Sequence, residues 1–247
     1  MRFIILGSSP GLPNPDTHQS SIYVRVNGKH LLFDCGEGTS YQMLKHGLDG
    51  DVLDAIFISH YHPDHISGIF MVLQMLYLQT RKKALQLFLP ERPAALLEAM
   101  QMFYTFAQKF SFPLQIHDCS EIELHHDDVS SAMTDHLLGY EEIIKANALP
   151  NQMRSYAFRI EDHHGTLVYT ADIGTTDCIS AFIEGAHSVI VDALHPSAEQ
   201  ILKLQYHNVQ RVILTHGKSP ELTQWLLDNP HPLFENAAED SEYHIES

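Results

Sequence analysis

Short apolar runs bounded by glycine, proline and polar clusters recur along the chain, at the spacing of strands separated by helices. In the first half they predict strands over Phe3–Leu6, Ser21–Val26, His30–Phe33, Ala55–Ser59 and Leu85–Leu89. In the second half they predict Tyr156–Ile160, Thr166–Thr170, Ser188–Val191 and Val212–Thr215. Valine, isoleucine, phenylalanine and tyrosine dominate these runs, because branched and aromatic side chains fit a buried pleated surface. Helical spacing lies between them. Ser67–Thr80 is apolar nearly all round and should be largely buried, while Arg92–Lys109 carries Leu96, Met100, Phe103 and Ala107 on one face. Glu199–Tyr206 and Pro220–Leu227 are shorter helices, the second with Ser219 as N-cap and proline at its first position. Alternating strands and helices predict a layered α/β architecture, spanning 1–228 as one domain. The segment 229–247 has two prolines, five acids and little apolar content, so it is expected to be a loose acidic tail.

A weak echo runs through this pattern. Leu31–Asp34 and Val168–Asp172 both finish an apolar strand on an aspartate; Phe57–His60 and Ile213–His216 both finish one on a hydroxyl residue and a histidine. Such repetition predicts two related halves, each delivering ligand-type residues from the C-terminal edges of its strands.

Composition narrows the chemistry. Fifteen basic against 31 acidic side chains give a net charge of −16, a field that repels nucleic acid and anionic membrane, and the one basic cluster is Arg81-Lys82-Lys83. No apolar run is long enough for a membrane span, and Met1–Gly7 reads as a strand entering a turn rather than a leader. Three scattered cysteines without paired spacing fit neither a disulfide scaffold nor a zinc finger. A cytoplasmic location is the expectation. Histidine, at eighteen, is the over-represented residue, and its placement matters.

His60-Tyr61-His62-Pro63-Asp64-His65 puts four ligand-type side chains in six residues. Residues two apart in extended backbone face the same way, so His60 and His62 can grip one ion; past the turn at Pro63, Asp64 and His65 face another. Two ions need about seven ligands. The other candidates are His216 at a strand end, Asp172 before a glycine turn, where a carboxylate could bridge both ions, and His136. His195, beside Pro196, could be a helix-entry residue or a general acid. His125-His126-Asp127-Asp128 reads as a solvated turn and His163-His164-Gly165 as a hairpin turn. His117, His207, His231 and His244 have no partner spacing.

These residues resemble the metallo-β-lactamase superfamily, whose H-x-H-x-D-H motif stands here as His60, His62, Asp64 and His65. The ribonuclease Z-like phosphodiesterase branch is matched further by Ile5–Ser8, the loop to Pro15, and Phe33-Asp34-Cys35-Gly36-Glu37-Gly38-Thr39. The resemblance, from Met1 to about Lys218, implies a four-layer αββα sandwich of two pseudo-symmetric halves. It implies that His60, His62 and His136 hold one metal, that Asp64, His65 and His216 hold the other, and that Asp172 bridges them. Asp34 would orient ligands, Asp64 would take part in catalysis, and His195 would protonate the leaving oxygen. Two departures point away from tRNA maturation. Only 35 residues separate His136 from Asp172, too few for a tRNA-binding arm, and Pro63 stands where tRNA-processing members usually have glycine.

The resulting expectation is a dinuclear metal-dependent hydrolase that cleaves a phosphodiester with a metal-bridging hydroxide. Zinc is the first choice of metal, with manganese or iron able to substitute. A small anionic phosphodiester suits the acidic chain better than long nucleic acid, and a homodimer is possible. The alternatives are a tRNA 3′-end endoribonuclease, a hydrolase of another ester, thioester or lactam, and a metal-containing ligand sensor without turnover.

Overall fold

The computed structural model describes residues 1–48 and 50–246. Its strands run β1 (Arg2–Gly7), β2 (Ser21–Val26), β3 (Lys29–Phe33), β4 (Ala55–Phe57), β5 (Leu85–Leu89) and β6 (Leu114–Asp118). They continue as β7 (Val129–Met133), β8 (Tyr156–Asp162), β9 (Gly165–Tyr169), β10 (Ser188–Asp192), β11 (Arg211–Thr215), β12 (Phe234–Asn236) and β13 (Glu242–His244). Between them lie α1 (Thr39–Lys45), α2 (Pro63–Ile66), α3 (Ile69–Leu78), α4 (Pro93–Met102), α5 (Ile122–His125) and α6 (Glu141–Ala146). The last helices are α7 (Ser180–Ile183), α8 (Ala198–Lys203) and α9 (Pro220–Asp228). All nine strands expected from the sequence are present. The chain forms two compact units, Met1–His125 with Ala238–His244, and His126–Ala237 with Ile245–Ser247.

Unit 1 is built on a seven-stranded sheet in the order β13-β1-β2-β3-β4-β5-β6. β13, β1, β2 and β3 pair antiparallel, whereas β3 to β6 run parallel. Its core joins Ile4, Leu6, Leu32, Ile56, Ile58 and Leu87 of the sheet to Ile69, Val72, Leu73 and Leu76 of α3. Phe33, Phe57 and Phe88 stack across adjacent strands with centroids 4.8 Å apart at each step. Unit 2 carries a six-stranded sheet, β12-β11-β10-β9-β8-β7, parallel from β12 to β9 and antiparallel through the β9–β8–β7 meander. Val168, Val189, Val191, Val212 and Leu214 meet Ile179, Ile183, Ile201 and Leu222 from its helices. The capping box at Ser197 and Gln200 starts α8, and Ser219 caps α9 by accepting from the Leu222 N–H at 3.1 Å.

Four expectations change. The segment 229–247 is not a loose tail: it supplies β12 to one sheet and β13 to the other. Glu239 accepts bonds from the Ser8 and His18 N–H groups at 2.8 and 2.9 Å, and Tyr243 stacks on Phe3 at 4.9 Å. A well-placed acid thus serves as acceptor for half-buried backbone donors, which composition alone cannot reveal. Arg92–Lys109 is not one helix, because Tyr104 turns left-handed at φ 57° and leaves only a 3₁₀ turn at Ala107–Lys109. The helix expected to be buried all round presents Met71 and Leu78 to solvent. Arg81 belongs to no basic surface: it is buried and donates to the carbonyls of Gly50, Leu53, Lys83 and Ala84.

Candidate metal centre

In unit 1, β4 delivers the histidine motif. The chain leaves the strand through buried Ile58 and Ser59, and His62 sits at the N-cap of α2 with Pro63 at its first position. The His60 ring lies 4.7 Å from that of His62, at 75°, and 4.2 Å from that of His65. His60 and His65 are fully buried. The Cys35–Gly38 loop after β3 cradles this motif through its backbone: Cys35 N–H donates to the His65 carbonyl at 2.7 Å, and Gly68 N–H to the Cys35 carbonyl at 2.8 Å. So close is this approach that a Cβ on Gly36 would stand 2.2 Å from the Asp64 carbonyl oxygen.

Asp34 ties the motif together through its carboxylate. It accepts from Ser59 N–H at 2.7 Å, Ser59 Oγ at 2.9 Å and His65 Nδ1 at 2.7 Å. The His60 Nδ1 lies 3.0 Å from Ser59 Oγ. With both Nδ1 atoms engaged, Nε2 is the atom each ring would offer a metal. Beside them, burial pushes the Cys35 thiol well above its ordinary range, with Asp34 adding to the effect.

In unit 2, three sequence candidates converge on a fourth, the carboxylate of Asp172. His136 opens a 3₁₀ turn after β7, Asp172 follows β9, His195 follows β10 and His216 follows β11. The Asp172 Oδ2 lies 3.5 Å from His136 Nε2, 3.2 Å from His216 Nε2 and 3.9 Å from His195 Nδ1. Asp172 and His216 are buried. Backbone in the left-handed region turns the chain sharply where these strands end, at Ala171 (φ 48°) and His216 (φ 62°), just as at Asp34 (φ 59°) in unit 1. Such a conformation costs about 1 kcal/mol or more in a residue with a Cβ and clusters at functional sites.

The donor set fits divalent metals. Ligand bonds of about 2.0–2.1 Å place neighbouring donors of a tetrahedral ion about 3.3 Å apart. The 3.2 and 3.5 Å separations around Asp172, and the 3.5 Å between His65 Nε2 and Asp64 Oδ2, match that edge. Imidazole with carboxylate is also the donor chemistry of zinc, manganese and iron sites.

Sequence reasoning missed two supporting aspartates. Asp192, fully buried at the end of β10, holds His195 Nδ1 at 2.8 Å and accepts from the Leu194 and Ile173 N–H groups at 3.0 and 3.1 Å. Its signal was available: Asp192 stands one residue beyond the expected strand Ser188–Val191, as Asp34 stands one residue beyond His30–Phe33. Asp135 accepts from Gly174 N–H at 2.7 Å and from Thr175 Oγ1 at 2.6 Å, tying the loop of His136 to that of Asp172. Burial would raise its carboxyl, but bonds from Thr175 and Gly174 outweigh that and hold it below the usual range.

Other histidines sort differently. His163 and His164 do form the β8–β9 hairpin turn, capped by Asp162 accepting from the His164 N–H at 2.9 Å. The expected solvated turn at His125–Asp128 is corrected, because His126 and Asp128 are each only 4% exposed, with Nδ1 and Oδ1 3.6 Å apart. Their burial follows from the pairing of the next residue, Val129, with Ile160. His117, expected to lack a partner, has its Nδ1 3.9 Å from Glu121 Oε2.

The architecture is that of metallo-β-lactamase fold proteins. Human tRNase Z, short form, superposes with a TM-score of 0.75 at 19% identity over the whole of both chains. The metallo-β-lactamase fold protein YhfI from Bacillus subtilis gives 0.75 at 18% identity over 98% of each. The model of the anti-Pycsar protein Apyc1 family matches residues 1–224, and the chain belongs to that family. Among curated relatives, ribonuclease Z of Haloarcula marismortui is 36% identical over 120 residues, covering 49% of this chain and 38% of that protein. The chain thus spans well under half the length of that relative.

Proposed function

We propose that His60, His62, Asp64, His65, His136, Asp172 and His216 together hold two divalent cations, and that the protein is a metal-dependent hydrolase of a small phosphodiester. The observation that carries this reading is the Asp172 carboxylate oxygen flanked by imidazole nitrogens at ligand-edge spacing. Bound cations would acidify water towards neutrality and offset charge on the phosphoryl oxygens. The residues of the chain do the rest. His60, His62 and His136 would fill one ligand set, Asp64, His65 and His216 the other, and Asp172 would contribute to both. Asp34 fixes the tautomer of His65. Asp192 anchors His195 Nδ1, so a protonated His195 delivers its proton from Nε2 to the departing oxygen, a contribution of ~10²–10⁴ in rate. Asp64, the carboxylate of the motif, is assigned a catalytic as well as a ligand role.

A net charge of −16 and the burial of Arg81 favour a small anionic substrate over tRNA. No helix among the described residues is long and apolar enough to cross a membrane, and we assign the protein to the cytoplasm. Zinc is the first candidate ion. The test is hydrolysis of bis(p-nitrophenyl) phosphate, a tRNA precursor, a thioester and a lactam by protein whose metal content has been measured. Turnover of the phosphodiester with two ions per chain is the expected result. Two ions bound without turnover of any phosphodiester would overturn it, and preferential cleavage of the precursor would move the assignment to tRNA processing.

The outer face of α3 and the chain after α4 favour a homodimer. Met71, Leu78, Met102, Phe103 and Tyr104 are 55–83% exposed, and α3 carries no charge. They present roughly 700 Å² of surface, near the about 800 Å² that each partner of a standard interface buries. In so acidic a chain, an uncharged face is where a second copy meets least repulsion. Light scattering should give twice the chain mass for the native protein and the monomer mass for Phe103→Glu; a native monomer would reject the interface.

A further inference from the structure

Away from the residues assigned above, unit 1 brings together another ligand-type trio. His117 lies on β6, Glu121 in the 3₁₀ turn Cys119–Glu121 and His125 at the end of α5. One donor atom from each lies within 4.8 Å of the other two. The two imidazoles face each other with centroids 4.0 Å apart at 43°, and His117 Nδ1 is 3.9 Å from Glu121 Oε2. Phe88, fully buried, stacks against His117 at 5.0 Å and meets His125 edge-on at 5.8 Å. Both rings therefore rest on one rigid apolar wall, which limits the side-chain freedom a metal would have to remove.

We propose that His117, Glu121 and His125 form a further divalent transition-metal site, separate from the dinuclear centre and independent of it. Two imidazoles and one carboxylate make a borderline-soft set suited to zinc, cobalt, nickel or copper rather than to calcium or magnesium, which take oxygen ligands. Closing the 3.9 Å gap to the about 3.3 Å edge of a tetrahedral ion needs only a small rotation of Glu121, whose side chain is half exposed. Three protein ligands leave a fourth position open to water, so the ion would exchange readily. Its structural effect follows from position. β6 is the edge strand of the seven-stranded sheet, and α5 has four residues, too few to hold a helix by propensity. An ion at this point would clip α5 to the sheet's edge.

The test is equilibrium dialysis of the full chain against buffered free zinc, with metal counted by mass spectrometry, for wild type, the two histidine variants His125→Ala and His117→Ala/His125→Ala, and Glu121→Gln. Near-ultraviolet circular dichroism checks that each variant is folded. The expected result is one fewer ion per chain in both histidine variants, at least tenfold weaker occupancy of that ion in Glu121→Gln, and unchanged phosphodiester turnover in all three. Because the readout is a difference between variant and wild type, it stands whatever number of ions the dinuclear centre holds. Folded variants that bind as many ions as wild type at the same free zinc would overturn the site.

Discussion

Replacing Asp34 by asparagine isolates the one contact that decides which nitrogen of His65 faces a metal. Asp34 is fully buried and accepts three bonds, two of 2.7 Å and one of 2.9 Å. Asparagine keeps the volume but has one acceptor oxygen and one NH₂ donor. If the oxygen stays with the Ser59 N–H, the NH₂ faces His65 Nδ1. The ring must then accept there, and its proton moves to Nε2, the atom needed for a ligand. Loss of such an outer-shell partner lowers metal affinity 10–100-fold, about 1.4–2.7 kcal/mol. Metal-free stability should fall by about 1–3 kcal/mol, since a buried charge-assisted bond is replaced by a poorer one. Competition for zinc against a chelator of known affinity measures the first quantity, and urea unfolding of the metal-free proteins measures the second. A folded Asp34→Asn variant that binds zinc within twofold of wild type would refute the reasoning, because His65 would not need its tautomer fixed.

Four further outcomes follow from the same structure. Asp192→Asn should lower phosphodiester turnover by ~10²–10⁴ with metal content unchanged, as the His195 Nδ1 bond of 2.8 Å is lost; retained turnover would remove the proton-donor role. Arg81→Met should destabilise the protein by about 3–5 kcal/mol in urea melts, since buried carbonyls including those of Leu53 and Ala84 lose a charged donor. Glu239→Ala should cost about 1–3 kcal/mol by stranding the His18 N–H, while Ser8 N–H keeps the His18 carbonyl, whereas a truly loose tail would show no change. Burial pushes the Cys178 thiol up to about 11, so its thiolate is scarce at neutral pH. Labelling of native Cys178 by iodoacetamide should therefore rise about tenfold per pH unit from 7 to 10, and a plateau near pH 8 would contradict the shift.

How much of this was legible in the sequence depends on the range of the forces involved. Strands such as Ala55–Phe57 and Ser188–Asp192 announce themselves because each residue's own burial preference is written locally. The strands overlooked lack that signature. β6 alternates Leu114, Gln115, Ile116, His117 at a sheet edge, and β13 holds Glu242 and His244 around one half-buried tyrosine. They exist because a neighbouring edge offers hydrogen bonds, Arg2 opposite His244 and Phe88 opposite His117, and pairing partners far apart in the chain leave no mark on composition. The same holds for Arg81, which looked like part of a basic surface but is consumed by the carbonyls of the turn it closes.

The histidine motif was readable because its spacing is its geometry, whereas Asp192 and Asp135 act through turns that only folding creates. Their discovery bears on the centre itself. Unit 2 buries Asp172 and Asp192 almost completely, although burying a carboxylate is costly unless charge or hydrogen bonds compensate it. Protonated imidazoles could compensate Asp172, but His136, His195 and His216 all lie within 4 Å of the same oxygen, and the His195 ring is 4.8 Å from that of His136 and 5.3 Å from that of His216. Three cationic rings so close would repel one another more than a single carboxylate could offset. On the proposed function, neutral imidazoles around a divalent cation would remove that conflict: His136 and His216 would supply lone pairs, and His195, held by its own aspartate, would be the ring that carries the proton.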